Sequence, residues 1–324
     1  LIPSNNDKTV KEGTLSSEIP FTDFLNNQAH FKFFFGPNKY NILNQVTEGF
    51  SQNIELGWLF LPFINKYLII PIFNFLEKFL SNYGLIIIIM VLIIRLILSP
   101  LTYKSHISMA KMRVLKPELD AIKEKHDGDM QKAQSDQLEL YRKAGINPLS
   151  GCIPVLLQFP ILVSLFYFIP SAIELRLESF LWADDLSSYD SIFNLPFNIP
   201  FYGDHVSLFT LLMAGSTILY TMANSQMTTI QGPMKTMQYL MPIMFLFFFN
   251  SYPSGLSYYY FITNLVSFGQ IALFRKFINE DKIKLIMEEN KKINVNKKKS
   301  KFQLRLEDAM KANQAAQKSK GKKK

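Results

Sequence analysis

Cysteine is nearly absent from this 324-residue sequence: Cys152 is the single one. No intrachain disulfide can form, and so sparse a count says little about redox compartment. The motifs of common catalysts are missing as well. No GxxxxGK[ST], HExxH or GxSxG occurs, which removes the phosphate-cradling loop, the helical zinc pair and the serine elbow. His30, His106, His126 and His205 are scattered without ligand spacing, so no metal or other cofactor is expected and the chain reads as a non-enzyme. Residues 1–20 lack a basic stretch followed by an apolar one, and no signal peptide is read there. The most informative lack is of acid: no Asp or Glu falls within any of the long apolar runs. That argues against an aspartyl intramembrane protease and against a carboxylate proton relay.

Apolar side chains are plentiful. The chain is 48% hydrophobic, with 29 Phe and a net charge of +9. A soluble domain does not gather such residues into long runs, so the composition points to an all-α polytopic membrane protein with polar ends. Residues 84–101, GLIIIIMVLIIRLILSPL, carry one cation, Arg95. As a helix they reach about 27 Å, near the hydrocarbon thickness of a bilayer. An arginine at mid-helix costs about 2.5 to 3.5 kcal/mol on insertion scales. Two readings of it stand: the side chain snorkels toward Pro100, or it faces a wet cavity between helices and works there.

In chain order, residues 1–55 read as a solvated start and then a short strand at 31–35 (FKFFF), closed by a turn at Gly36, Pro37 and Asn38. This looks like the end of an extramembrane β domain whose body precedes it. Residues 56–83 mix apolar clusters with Asn65, Lys66, Asn74, Glu77 and Lys78, and are broken by Pro62 and Pro71. That suits an amphipathic helix lying in the membrane interface, with Trp58 and Tyr67 at headgroup level. Residues 84–278 hold five candidate spans, at 84–101, 148–170, 206–222, 237–249 and 256–274. Between the first two, residues 104–147 place Met109, Met112, Leu115, Leu119 and Ile122 at helical spacing, turn around Gly128, and resume with Leu138 and Tyr141. The pattern is an amphipathic helical hairpin or a merely solvated loop. Residues 176–204 form an acidic link, and residues 279–324 a basic tail.

Charge sets the orientation. Nine Lys and Arg lie in 104–147, one in 176–204 and seventeen from Arg275 onward. Lys- and Arg-rich segments stay in the cytoplasm, so the hairpin and tail are expected there, with the start of the chain and the acidic link outside. Within the spans, Thr210, Thr217, Thr221 and Asn224 share one stripe, and Tyr260, Asn264 and Ser267 another, while Gln158 lies between Pro154 and Pro160. Each can serve as an interhelical hydrogen bond, and together with Arg95 they can line a polar groove. Met222, Met227, Met234, Met237, Met241 and Met244 offer a surface for varied apolar partners, or plain packing. Ser254, in PSG, reads as a turn residue because Tyr252 stands where a serine elbow needs glycine.

Three stretches, RLILSPLTYKSHISMAKMRVLKPEL (95–119), AGINPLSGCIPVLLQFPIL (144–162) and YPSGLSYYYFITN (252–264), resemble the signature patterns of the YidC family of membrane protein insertases, in order and spacing. The likeness runs from residue 56 to residue 278, and FKFFFGPNKY looks like the end of the periplasmic β-sandwich of forms from two-membraned bacteria. The resemblance implies a five-helix core around a hydrophilic groove, open to cytoplasm and lipid and closed outward, with Arg95 as the arginine of the first core helix. It implies a bacterial inner-membrane location and insertion of nascent membrane proteins without nucleotide hydrolysis. Guest segments are expected to pass between the third and fifth spans, and the hairpin with Met109, Met112 and Gly128 to receive them. Where many members carry a glutamine on the third core helix, this chain has Thr221 and Met222. The implied partners are nascent chains, the bilayer and the Sec translocon, with anionic lipid or ribosomal RNA for the basic tail. A small-solute transporter or channel subunit is the competing class. It calls for an internal repeat and further midplane charges, and neither is found.

Overall fold

Pro71 and Pro100 each lack the N–H that a helix needs, and the chain meets the two losses differently. The computed structural model describes residues 2–3, 11–12, 33–126, 130–147, 153–225 and 233–293. Two short strands, β1 (Ile2–Pro3) and β2 (Lys11–Glu12), pair antiparallel. Residues 33–35, the described part of the expected FKFFF strand, form no strand, and Phe33 and Phe35 are exposed. Helix α1 (Tyr40–Val46) and a 3-10 turn at Phe50–Asn53 lead to α2 (Leu61–Ile64), a π-helical turn at Asn65–Ile69, and α3 (Ile70–Glu77). The widened turn meets Pro71, which has no N–H for the carbonyl of Tyr67. Asn65 faces inward here: it is fully buried, and its Nδ2 donates to the carbonyls of Leu56 (2.9 Å) and Ser164 (3.1 Å). Trp58, Phe63, Tyr67, Phe75 and Phe79 stand outward.

Pro100 leaves its helix intact. In α4 (Tyr83–Val114) the helix runs on through it, and the Thr102 hydroxyl donates back to the carbonyls of Leu98 (3.2 Å) and Ser99 (3.0 Å) on the preceding turn. The first apolar run and the first arm of the hairpin are therefore one helix of 32 residues. At about 48 Å it outreaches a bilayer core of about 30 Å. Helices α5 (Lys116–Lys125) and α6 (Met130–Lys143) complete the hairpin. Its expected turn residue, Gly128, lies outside the described residues.

Helix α7 (Ile153–Ser171) is followed, inside the acidic link, by an antiparallel hairpin of β3 (Phe193–Ile199) and β4 (Gly203–Val206). Then come α8 (Leu208–Ser225), α9 (Pro233–Phe249) and α10 (Ser254–Phe277). A further helix, α11 (Glu280–Ile293), occupies the start of the basic tail. Asn279 caps it by accepting from the Lys282 N–H (3.0 Å), with Glu280 and Asp281 in its first turn and Lys291 and Lys292 in its last, the order the helix dipole favours.

Helix α10 is central: it packs against α4, α7 and α8, and α9 lies on α8. Ile86, Met90 and Ile94 of α4 meet Leu165 and Phe168 of α7, Phe209 of α8 and Tyr259 of α10 in one apolar core. A second core joins Met109, Met112, Leu115 and Leu119 to Tyr141, Ile271, Ile283 and Met287, and so fastens the hairpin and α11 to the far end of α4. Among the described helices α4 is long and apolar enough to cross a membrane, while the apolar stretches Leu156–Ser171, Leu208–Ala223 and Met237–Phe249 are shorter.

Candidate functional site

One end of the bundle is clasped shut. Asp190, in the acidic link, is 3% exposed, and its carboxylate accepts from the Ser207 hydroxyl, the Leu208 N–H (2.8 Å), the Phe209 N–H (3.1 Å) and the Trp182 indole (2.9 Å). It therefore caps α8, whose first N–H groups have no partner within the helix. Asn250, just past α9, donates to the carbonyls of Tyr202 (2.9 Å) and His205 (2.8 Å) and accepts from the Ser207 N–H (3.0 Å). The Leu186 carbonyl accepts from the Gly255 N–H (3.0 Å), and a Cβ on Gly255 would come within 2.9 Å of that oxygen, so glycine is required. Phe180 sits so close to Gly84 that no Cβ fits there either. The link thus holds together the starts of α4, α8 and α10 and the end of α9.

Deeper in the bundle the polar side chains converge. Arg95 lies twelve residues after Tyr83, about 18 Å along α4, and is 8% exposed. Its Nη2 donates to the carbonyl of Thr263 on α10 at 3.5 Å. The Ser267 hydroxyl donates to the same oxygen at 2.6 Å, and the Gln270 amide donates to the Arg95 carbonyl at 3.3 Å. Gln158 of α7 donates to the Tyr259 hydroxyl at 3.5 Å. Gln158 Oε1 and Thr263 Oγ1 are buried without a hydrogen-bond partner among the described residues.

A second polar knot joins α8 to α10. Asn264 Nδ2 donates to Ser216 Oγ and to Thr217 Oγ1, each at 2.9 Å, and the Thr217 hydroxyl donates to the Met213 carbonyl at 2.7 Å. This seam between the third and fifth apolar segments, the expected passage for guests, is joined by these bonds in the structure. Thr221, one turn beyond Thr217, is half-buried, and Tyr260 packs partly buried against the first core. Asn224 lies in α8, and its side chain is outside the description. Met109 and Met112, 4% and 6% exposed, pack inside the second core rather than facing solvent.

Beyond the clasp the surfaces differ. Leu156 and Phe159 of α7, Leu219 and Met222 of α8, and Met237, Met241 and Met244 of α9 are exposed. Helices α7 and α9 touch near the clasp through the Phe166–Phe248 stack, ring centres 6.0 Å apart. Sequence reasoning missed Tyr259, Thr263, Ser216 and Gln270. Thr263 was legible, since it falls four residues before Ser267 on the same helical stripe. Among the described residues no group of His, Cys, Asp and Glu is placed to hold a metal ion.

Residues 75–282 match the family described as 60Kd inner membrane protein. A relative named membrane protein insertase YidC, from Amoebophilus asiaticus, is 58% identical over 94% of this chain and 52% of its own length. Namesakes from Parabacteroides distasonis and Cytophaga hutchinsonii are 46% and 48% identical over 94% and 97% of this chain, and 51% and 52% of theirs. The chain spans about half the length of the curated relatives it matches. A solved crystal structure of an active YidC insertase with its first transmembrane domain resolved is 30% identical, with a TM-score of 0.48 over 71% of this chain and 49% of that one. The family match runs from within α3 to the first turn of α11 and takes in both polar knots and the clasp; the chain belongs to the 60Kd inner membrane protein family.

Proposed function

We propose that this chain forms the core of a membrane protein insertase, which passes hydrophobic segments of newly made proteins into the lipid through a polar groove and without hydrolysing nucleotide. In this reading α4, α7, α8, α9 and α10 cross the bacterial inner membrane, and α2 and α3 lie in its outer interface. The α5–α6 hairpin and α11 face the cytoplasm, as their Lys and Arg content requires.

The observation that carries the proposal is the state of Arg95. It is a buried cation, no carboxylate falls within any apolar segment, and unpartnered polar atoms of Gln158 and Thr263 lie buried in the same layer. Buried polar groups are nearly always paired, and a guanidinium with five N–H donors, held among the described residues by one long bond, calls for water or a guest as its remaining partner. The Asp190 and Asn250 clasp supports closure outward. The exposed apolar residues of α7, α8 and α9 support an opening toward cytoplasm and lipid, with the loosely joined α7 and α9 as the exit.

The energetics need no fuel. Twenty apolar residues entering lipid release roughly 6 to 12 kcal/mol at about 0.3 to 0.6 kcal/mol each, which offsets one or two polar transfers of about 2.5 to 3.5 kcal/mol. The guest's polar terminus rests meanwhile in the groove, where Arg95 and water lower its desolvation cost. The hairpin receives guests, and the lysines beyond α11 attach to anionic lipid or ribosomal RNA. A photocrosslinker at position 95 should capture a stalled nascent membrane protein. Capture of lipid alone, with a guest stalled on the same chain, overturns the reading.

A further inference from the structure

A cavity of about 220 Å³ lies between α4, α10 and α11, at the end of the bundle opposite the clasp. It is lined by His106, Ala110 and Arg113 of α4, by Ile271, Phe274 and Arg275 of α10, and by Ile278 and Glu280. Its depth is set by its helices. His106 stands five residues past Leu101, the end of the apolar run, about 7.5 Å further along the helix. Arg275 stands 21 residues after Ser254, about 31 Å along α10. Both distances put the cavity in the headgroup layer, which adds about 5 to 8 Å on each side of the hydrocarbon.

The lining is divided in the way an amphiphile is. Ala110, Ile271, Phe274 and Ile278 supply an apolar wall, and the His106 ring lies against Phe274 with centres 5.3 Å apart. Arg113 and Arg275 supply positive charge. Glu280 holds Arg113 through one contact of 2.6 Å, and 32% of the Arg113 side chain stays exposed. Among the described residues no carboxylate pairs with Arg275. The volume falls below the roughly 300 to 1,000 Å³ of pockets for drug-sized ligands, and it suits a compact anion with a short apolar stem. Guanidinium groups are matched to phosphate oxygens in shape and charge, and basic pockets between membrane helices recognise lipid headgroups.

We propose that this cavity binds the phosphate and glycerol portion of an anionic phospholipid. Arg275 is the principal phosphate donor, Arg113 the second, and His106 a hydrogen-bonding partner of the headgroup. The occupied cavity ties α11, and with it the basic tail, to the membrane surface. The site uses the crossing of α4 and α10 but not the groove at Arg95, so it stands or falls separately from insertion.

Native mass spectrometry of the purified chain, titrated with phosphatidylglycerol, phosphatidylcholine or inorganic phosphate, tests this. Phosphatidylglycerol should bind at one saturable site at least about tenfold more tightly than phosphatidylcholine, and Arg275→Gln should weaken it at least about fivefold. Lys276→Gln, which alters the neighbouring cation outside the cavity, should leave it unchanged. Ile278→Trp fills the cavity without touching its charges and should abolish the site even where Arg275→Gln proves unstable. Equal losses in Arg275→Gln and Lys276→Gln, or undiminished binding in Ile278→Trp, overturn the proposal in favour of diffuse surface attraction. Inorganic phosphate that binds alone and is not displaced by phosphatidylglycerol overturns the lipid as occupant.

Discussion

Arg95 and Ser267 donate to one acceptor, the carbonyl of Thr263, from two different helices, at 3.5 and 2.6 Å. The hydroxyl makes the shorter bond, so the cation is left with the poorer share of that oxygen and, among the described residues, with most of its donors uncommitted. A side chain held this way is free to bind something else.

Replacing Arg95 by alanine should therefore slow insertion of guests with acidic N-terminal tails by about tenfold, equivalent to about 1.4 kcal/mol, and guests with neutral tails much less. Arg95→Lys should recover part of the loss. Insertion assays in reconstituted vesicles read both, and equal loss for acidic and neutral tails counts against a role for charge.

The clasp should be stiff. Asp190 is buried and accepts four hydrogen bonds, two of them from the α8 backbone, so Asp190→Ala leaves those donors stranded and should cost about 3 kcal/mol. Asp190→Asn keeps the shape and should cost less. Thermal unfolding of the purified variants in detergent checks the order.

Lys39 bridges Glu77 (2.7 Å) and Glu174 (3.1 Å), tying α3 to the turn after α7. Partial burial lowers its pKa, but the two carboxylates more than offset that, and the ammonium titrates above its ordinary 10.5. The stabilisation is fully present below 10.5, and it fades as pH rises through the raised value. Lys39→Met should thus lower the melting temperature at pH 8, by an amount corresponding to about 1 kcal/mol. The gap from the parent should narrow as pH rises past 10.5 and through the raised value. A gap independent of pH would assign the loss to packing.

Met287, 2% exposed, is seated in the second core with Met109 and Met112. Met287→Lys puts an unpaired charge there and should undock α11. Trypsin should then cut at Lys282 and Lys284 about tenfold faster or more, while α4 and α10 stay folded.

The parts legible in the sequence were those written in periodicity and charge. The apolar runs, the hairpin pattern of Met112, Leu115 and Leu119, and the stripe of Tyr260, Asn264 and Ser267 all became helices, with Asn264 and Ser267 bonded as polar residues in a bundle usually are. The expected break between the first span, 84–101, and the hairpin from residue 104 is absent, because α4 runs through Pro100 to Val114. Helix α11 was hidden by its lysines, although Asn279 before Glu280 and Asp281, and Ile283 four residues before Met287, spelled a cap and a buried face. The clasp could not be read at all. Asp190 and Asn250 lie sixty residues apart in segments without periodicity, and their pairing with α8 is a product of the tertiary fold.

The central claim is that Arg95 borders water continuous with the Lys-rich side of the membrane and shut off from the acidic link. In a Cys152→Ser background, Arg95→Cys should react with a membrane-impermeant maleimide added from the side of the α5–α6 hairpin, and not from the opposite side. A thiol at position 95 that stays unlabelled from both sides, or is labelled from the side of the clasp, contradicts it.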